Sequence, residues 1–181
     1  MKVVTQPYKH FTEQAFFLKK DFDTIIKNLH LIKWNVEVQD EFTFYFGETI
    51  PTFEERTNEI LSKYTQKGFI ETLSLLFDVH LDTCLSVVFF KMTKGYAHKT
   101  HSDDNSFGEK VRIVCYLSDL SSYEGGELNL HYDNHEKAIT KSLRMPINSA
   151  FGFLMTGNSY HSVSEVFNGE RITLIFTYGT N

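Results

Sequence analysis

The sequence predicts a mainly β chain with helices at its N-terminal end, an α+β class. Three observations carry this. Apolar residues in the first eighty positions recur at steps of three and four. From Leu85 onward they fall instead into short, often alternating runs separated by turn residues. Only three prolines occur, Pro7, Pro51 and Pro146, and no tract rich in Pro, Gly or Ser divides the 181 residues. One domain over 1–181 is therefore expected, within the usual range of about 50–250 residues. Its helix-rich part covers 1–82 and its β core 83–181.

In chain order, Phe16, Phe17, Phe22, Ile25, Ile26 and Leu29 make an amphipathic helical stripe. Phe42 to Phe46 reads as a strand. Pro51-Thr52-Phe53-Glu54-Glu55 reads as a helix start, with Thr52 and Glu55 at capping-box spacing. Ile60, Leu61 and Tyr64 continue that helix, Gly68 is expected to interrupt it, and Leu73, Leu75, Leu76 and Phe77 form another. The strand runs are Leu85–Met92, Val111–Ser118, Glu127–Tyr132, Ser149–Met155, Tyr160–Val166 and Arg171–Tyr178. Their spacing suits an antiparallel sandwich or barrel, with the helices covering one outer face.

Composition excludes several classes. A net charge of −5 forces no basic face, so no nucleic-acid partner is expected. No apolar run approaches the roughly 20 residues of a membrane span, so no membrane partner is expected either. The start, MKVVTQPYKH, lacks the apolar stretch of a signal peptide. Cys84 and Cys115 cannot build a disulfide framework and read as buried free thiols. A cytoplasmic location follows as the expectation.

Three His-x-Asp triplets occur: His80-Leu81-Asp82, His101-Ser102-Asp103 and His131-Tyr132-Asp133. Residues i and i+2 of an extended chain point the same way, so an imidazole and a carboxylate can grip one metal ion. A third ligand from a distant strand would complete a 2-His-1-carboxylate set, which leaves open positions on iron(II). Context favours His101 and Asp103, in a polar loop just before a strong strand. Asp82 reads better as a cap or turn residue, and His131 and Asp133 run into a hairpin. Asp104 is close but has the opposite parity. His10 and His30 are expected at the surface of the helical region, and His98 as a loop residue.

The segment from about Val87 to Tyr178 resembles the iron(II)- and 2-oxoglutarate-dependent dioxygenases, in particular their prolyl-hydroxylase-like group. The matching pieces come in order. His101-Ser102-Asp103 looks like the family's His-x-Asp, and Tyr116-Leu117-Ser118 like its Tyr-Leu-Asn strand end. Gly125-Gly126-Glu127-Leu128 looks like its Gly-Gly-Glu-Leu turn. His161-Ser162-Val163, then Val166, Gly169 and Arg171, look like its distal His-x-Val…Val…Gly-x-Arg. The resemblance implies a double-stranded β-helix (jelly roll) core packed against helices, with His161 as the third ligand beside His101 and Asp103. It implies Fe(II), 2-oxoglutarate and O2 as cofactor and co-substrates. The implied reaction is hydroxylation of an unactivated C–H bond, with release of succinate and CO2. The substrate would be an amino-acid-like small molecule or a peptide or protein residue. The chain departs from the pattern at Lys91 and Met92, where a tyrosine often stands, and at Ser118, where Asn is usual.

Arg171 stands ten residues beyond His161, where the resemblance implies a partner for the distal carboxylate of 2-oxoglutarate. A guanidinium is planar, permanently charged and able to hold a carboxylate with two parallel hydrogen bonds. Thr173 shares its strand face, and Tyr116 is a further candidate contact. Alternation alone would turn Arg171, Thr173, Ile175 and Thr177 toward water; the resemblance turns them toward a polar pocket. Arg112 shares parity with Tyr116 and is expected to face that interior or its rim. It could contact a carboxylate of the prime substrate there, or simply pair with Asp104 or Glu109 at the surface. Two other readings fit the strand pattern: a cupin-type metal-dependent jelly-roll enzyme without 2-oxoglutarate, and a non-catalytic β-sandwich interaction domain. The sequence sets no oligomeric state.

Overall fold

A computed structural model describes residues 1–39, 42–48, 55–103, 108–135 and 139–180. Its helices are α1 (Lys19–Asn28), α2 (Glu55–Thr65) and α3 (Lys67–Phe77), with a 3-10 turn at Leu29–Leu31. α1 forms where expected: Phe22 and Ile25, one turn apart, are both buried. α2 and α3 part at Gln66, whose extended backbone (φ −76°, ψ 152°) cannot continue a helix; Gly68, the expected interruption, lies inside α3. Thr52 of the expected capping box lies outside the described residues. No helix among them is long and apolar enough to cross a membrane.

The strands are β1 (His10–Gln14), β2 (Trp34–Gln39), β3 (Phe42–Glu48), β4 (Thr83–Thr93), β5 (His98–His101) and β6 (Glu109–Tyr116). They continue as β7 (Tyr123–Gly125), β8 (Leu128–His131), β9 (Ile139–Leu143), β10 (Ser149–Leu154), β11 (His161–Val163) and β12 (Val166–Gly179). A large sheet runs β1-β10-β6-β12-β4-β3-β2, with β7 paired to β12; a small sheet runs β5-β11-β8-β9. The two sheets form a jelly-roll core. Between them Leu128 and Leu130 of the small sheet pack with Tyr116, Phe151 and Phe153 of the large one.

The outer face of the large sheet packs under the helices. Phe89, Ile113, Leu174, Phe176 and Tyr178 join Ile25, Ile60, Leu73 and Phe77 in one cluster. β12 is therefore buried on both faces. Leu174, Phe176 and Tyr178 are fully covered, yet Arg171 is only 3% exposed and Thr173 1%. Alternation along this strand separates two interiors rather than core from water.

The N-terminal part holds more sheet than its helical periodicity suggested. His10 is the clearest correction. It lies on β1 opposite Phe153 rather than on a helix surface, and it is 1% exposed. Its Nδ1 donates to the Tyr8 carbonyl at 2.8 Å, and burial lowers its pKa. His30 is exposed, as expected.

Candidate active site

β5 and β11 pair antiparallel, and His161 stands opposite His101. Their imidazole centroids are 4.3 Å apart. Asp103 lies two residues past the end of β5 with its backbone in the left-handed region, φ 58°. Extended-chain parity is thus not what turns its carboxylate toward His101; a left-handed bend is, a conformation that Asp tolerates better than most residues. The Nε2 of His101 is 3.1 Å from one carboxylate oxygen of Asp103, and the Nε2 of His161 is 3.4 Å from the other. The ligand atoms of His101, Asp103 and His161 lie within 4.8 Å of one another.

Each imidazole is oriented from behind. His101 Nδ1 donates to the Lys99 carbonyl at 2.8 Å, and His161 Nδ1 to that of Ser159 at 2.9 Å. With Nδ1 donating to a backbone carbonyl, Nε2 faces the centre of the group, where it meets the Asp103 carboxylate here and would offer its lone pair to a bound metal, the usual way a protein fixes a metal-binding histidine. Two imidazole nitrogens and a carboxylate gathered within 4.8 Å of one another are a donor set that fits a divalent cation. Burial alone would raise the Asp103 carboxyl. Hydrogen bonds to His101 and His161 and the charge of Arg112 outweigh it and hold the pKa well below the usual range. At His101 burial acts downward, but the Asp103 carboxylate outweighs it and raises the pKa.

The group opens into a cavity of about 280 Å³ between the sheets. Strand register orders its wall on the large sheet. Arg171 pairs with Met92; Thr173 lies between Phe90 and Tyr116; Ile175 lies between Val88 and Val114; Thr177 lies between Ser86 and Arg112. Arg171 has no carboxylate at ion-pair distance among the described residues. One terminal nitrogen points at Met92 Sδ, 3.3 Å away, and its Nε has no hydrogen-bond partner. Its guanidinium lies over the Tyr116 ring at 5.0 Å. The Thr173 hydroxyl is likewise buried and unpartnered. A buried cation without an anion is costly unless a ligand supplies one. A small dicarboxylate such as 2-oxoglutarate fits that demand.

The surrounding motifs explain themselves in this frame. Gly126 has φ +70°, and a Cβ there would come 2.9 Å from Arg171 Cδ, so the turn must be bare for the arginine stem to pass. Ser118, standing where Asn was expected, accepts from the Ile172 N–H at 2.7 Å and donates to the Glu170 carbonyl at 2.9 Å. It ties the end of β6 to β12 on both sides of Arg171.

All seven residues singled out in the sequence line this one cavity: His101, Asp103, His161, Arg171, Thr173, Tyr116 and Arg112. The other triplets lie elsewhere. His80 and Asp82 are exposed in the turn before β4. His131 is buried with its Nε2 2.9 Å from Ser162 Oγ, while Asp133 accepts from the His135 N–H. His98, expected as a loop residue, is on β5 and lines the cavity, its ring 4.4 Å from that of His101. Burial, then His101, lower its pKa to about 4, so it is neutral. Its i, i+3 spacing from His101 was the available signal, but only the irregular pairing of β5 with β11 turns both rings the same way. Phe90 and Met92 also line the cavity; nothing in their alternation distinguished this face from a solvent face. Asp104 lies outside the described residues.

A family profile described as the 2OG-Fe(II) oxygenase superfamily matches residues 86–178, just over half of the chain. A PKHD-type hydroxylase of Synechococcus sp. (strain CC9605) is 28% identical over 123 residues, which cover 66% of this chain and 50% of the relative. The prolyl 3-hydroxylase OGFOD1 of Mus musculus is 27% identical over 176 residues, 93% of this chain and 32% of the relative. The chain thus spans half or less of the length of these relatives. Among solved structures, a Pseudomonas putida prolyl-4-hydroxylase superposes with a TM-score of 0.76, covering 95% of this chain and 92% of its own at 14% identity.

Proposed function

Because the chain belongs to the 2OG-Fe(II) oxygenase superfamily, we propose that it is an iron(II)- and 2-oxoglutarate-dependent hydroxylase acting on a C–H bond. One observation carries this reading. A three-ligand metal-binding group and a buried arginine without an acidic partner among the described residues share the wall of a single cavity.

In this reading His101, Asp103 and His161 hold the iron and leave positions open beside it. Bound iron(II) supplies the oxidising chemistry: with O2, 2-oxoglutarate is converted to succinate and CO2 while the substrate gains a hydroxyl. The chain's own groups do the rest. The carbonyls of Lys99 and Ser159 keep both imidazoles in the ligating tautomer. Arg171 binds the distal carboxylate of 2-oxoglutarate, with Thr173 and Tyr116 as further donors, and so orients the co-substrate along the inner face of β12. The apolar wall formed by Phe90, Val114, Phe151 and Ile175 excludes water from the reacting centre.

The prime substrate is an amino-acid-like small molecule or a peptide or protein residue. The relatives named as prolyl hydroxylases support the peptide branch. The test is succinate formation from 2-oxoglutarate in air by protein reconstituted with Fe(II), followed by a screen of proline-containing peptides and free amino acids for mass gain of one oxygen. Iron-dependent succinate is expected, stimulated by the right substrate. No succinate under any of these conditions would overturn the proposal.

A further inference from the structure

Arg112 occupies a singular place in the cavity. It stands on β6 between Thr177 of β12 and Phe153 of β10 and lines the cavity together with His101, Asp103 and His161. One terminal nitrogen is 2.5 Å from Oδ2 of Asp103, and the other is 3.2 Å from Oε2 of Glu109. The side chain is mostly covered, with 22% exposure, and the Asp103 side chain is more covered still, at 13%.

The backbone at Asp103 explains why such a contact matters. His101 and His161 are fixed by a strand ladder and by bonds from their own Nδ1. Asp103 has left the strand, its φ is positive, and its carboxylate turns freely about the Cβ–Cγ bond unless something holds it. Among the described residues, Arg112 is the one arginine or lysine in ion-pair contact with it, and it meets the carboxylate from outside the His101 and His161 pair.

We propose that Arg112 is a positioning residue for the metal site. It captures Oδ2 of Asp103 and leaves Oδ1 for the metal, so that the carboxylate ligates through one oxygen and does not occupy a second position needed by co-substrates. Glu109 holds the guanidinium from its other side. This role rests on the reading of His101, Asp103 and His161 as ligands. It is a role apart from the contact to a substrate carboxylate that strand parity suggested: each terminal nitrogen of Arg112 already meets a carboxylate of the chain, while its Nε meets no hydrogen-bond partner among the described residues.

Electrostatics gives the test its direction. A cation beside a ligating carboxylate lowers the negative charge felt by the metal, so an arginine that acted through charge alone would tighten metal binding when removed. An arginine that orients the ligand would weaken binding when removed. Loss of a partner that orients a metal ligand typically costs about 10–100-fold in affinity.

The experiment titrates Mn(II) into metal-free full-length protein and reads free and bound Mn(II) by electron paramagnetic resonance. Arg112→Leu is expected to weaken Mn(II) binding by about 10–100-fold and to change the spectrum of the bound ion. Arg112→Lys, which keeps a cationic donor, is expected to recover most of the affinity and the spectrum. Unchanged or tighter binding in folded Arg112→Leu overturns the proposal. Should that variant fail to fold, Glu109→Gln carries the test: releasing one side of the guanidinium should weaken Mn(II) binding severalfold, and unchanged affinity overturns the proposal. A wild-type protein that takes up no Mn(II) defeats the metal-site reading itself; a wild-type protein that binds with the variants unaltered defeats only the positioning role.

Discussion

Replacing Arg171 by methionine should separate two quantities that usually move together. In the ligand-free protein Arg171 is a buried cation with no acidic partner among the described residues. Exchange even of paired buried ions for hydrophobic residues of similar volume is often neutral or stabilising by about 1–4 kcal/mol. The contact with the Tyr116 ring at 5.0 Å offsets up to about 2 kcal/mol of that. Arg171→Met should therefore unfold at the same temperature as the parent or a few degrees higher. Binding should respond in the opposite sense. Losing one side of a buried charge pair costs roughly 3–5 kcal/mol, about two to three and a half decades in 2-oxoglutarate affinity. At a ligand concentration 100 times the parent's Kd, 2-oxoglutarate stabilises the parent by about 2.7 kcal/mol. A variant weakened 100-fold would keep only about 0.4 kcal/mol at that concentration. At about 2–4 °C per kcal/mol for a chain of this size, the ligand-induced shift in Tm falls from about 5–11 °C to about 1 °C. Thermal melts of Mn(II)-loaded protein with and without 2-oxoglutarate read both quantities. A variant that melts several degrees low yet keeps the full ligand-induced shift would refute the reasoning, because Arg171 would then be structural and the co-substrate would be held elsewhere.

Other substitutions probe other links. His101→Ala or His161→Ala should abolish Mn(II) uptake with the fold retained, by calorimetry and circular dichroism, while His80→Ala and His131→Ala should still bind the ion; loss of binding in His131→Ala alone would move the metal site. Gly126→Ala must place a side chain at φ +70° and 2.9 Å from Arg171 Cδ. Left-handed backbone costs a non-glycine residue about 1–2 kcal/mol, so Tm should fall by some degrees and 2-oxoglutarate affinity should fall with it. Leu174→Ala, in the fully buried outer face of β12, should cost about 2–5 kcal/mol in denaturant unfolding and leave the Mn(II) Kd unchanged.

The parts of the fold that were legible are those where burial leaves a period. α1 and α3 announce themselves through Phe22 and Ile25, and through Leu73 and Phe77. β4, β6, β10 and β12 announce themselves through apolar runs long enough to cross the core. Several of the strands that escaped are short or polar. β5 reads His-Lys-Thr-His, and β9 is mostly exposed at the edge of the small sheet. Such strands are specified by their ladder partners rather than by their own side chains. The site was legible by residue type more than by geometry. His101 and Asp103 were picked as an extended pair, yet Asp103 reaches its partner through a left-handed bend that no alternation encodes. Arg171 looked solvent-facing for the same reason that β12 was misleading: a strand with polar residues on one face reads alike whether that face meets water or a polar cavity. Arg112 was correctly turned inward by parity with Tyr116, but its capture of Asp103 depends on where the loop after β5 sends the carboxylate, which residue spacing does not show.

The account stands most directly on one anaerobic titration. Fe(II) and then 2-oxoglutarate are added to metal-free protein, and the weak visible charge-transfer absorption of a chelated iron–2-oxoglutarate pair is followed. The prediction is a band that saturates at one Fe(II) and one 2-oxoglutarate per chain, is absent in His161→Ala, and demands far more 2-oxoglutarate in Arg171→Met. A protein that binds Fe(II) but develops no band at saturating 2-oxoglutarate, or whose band survives His161→Ala unchanged, would contradict it.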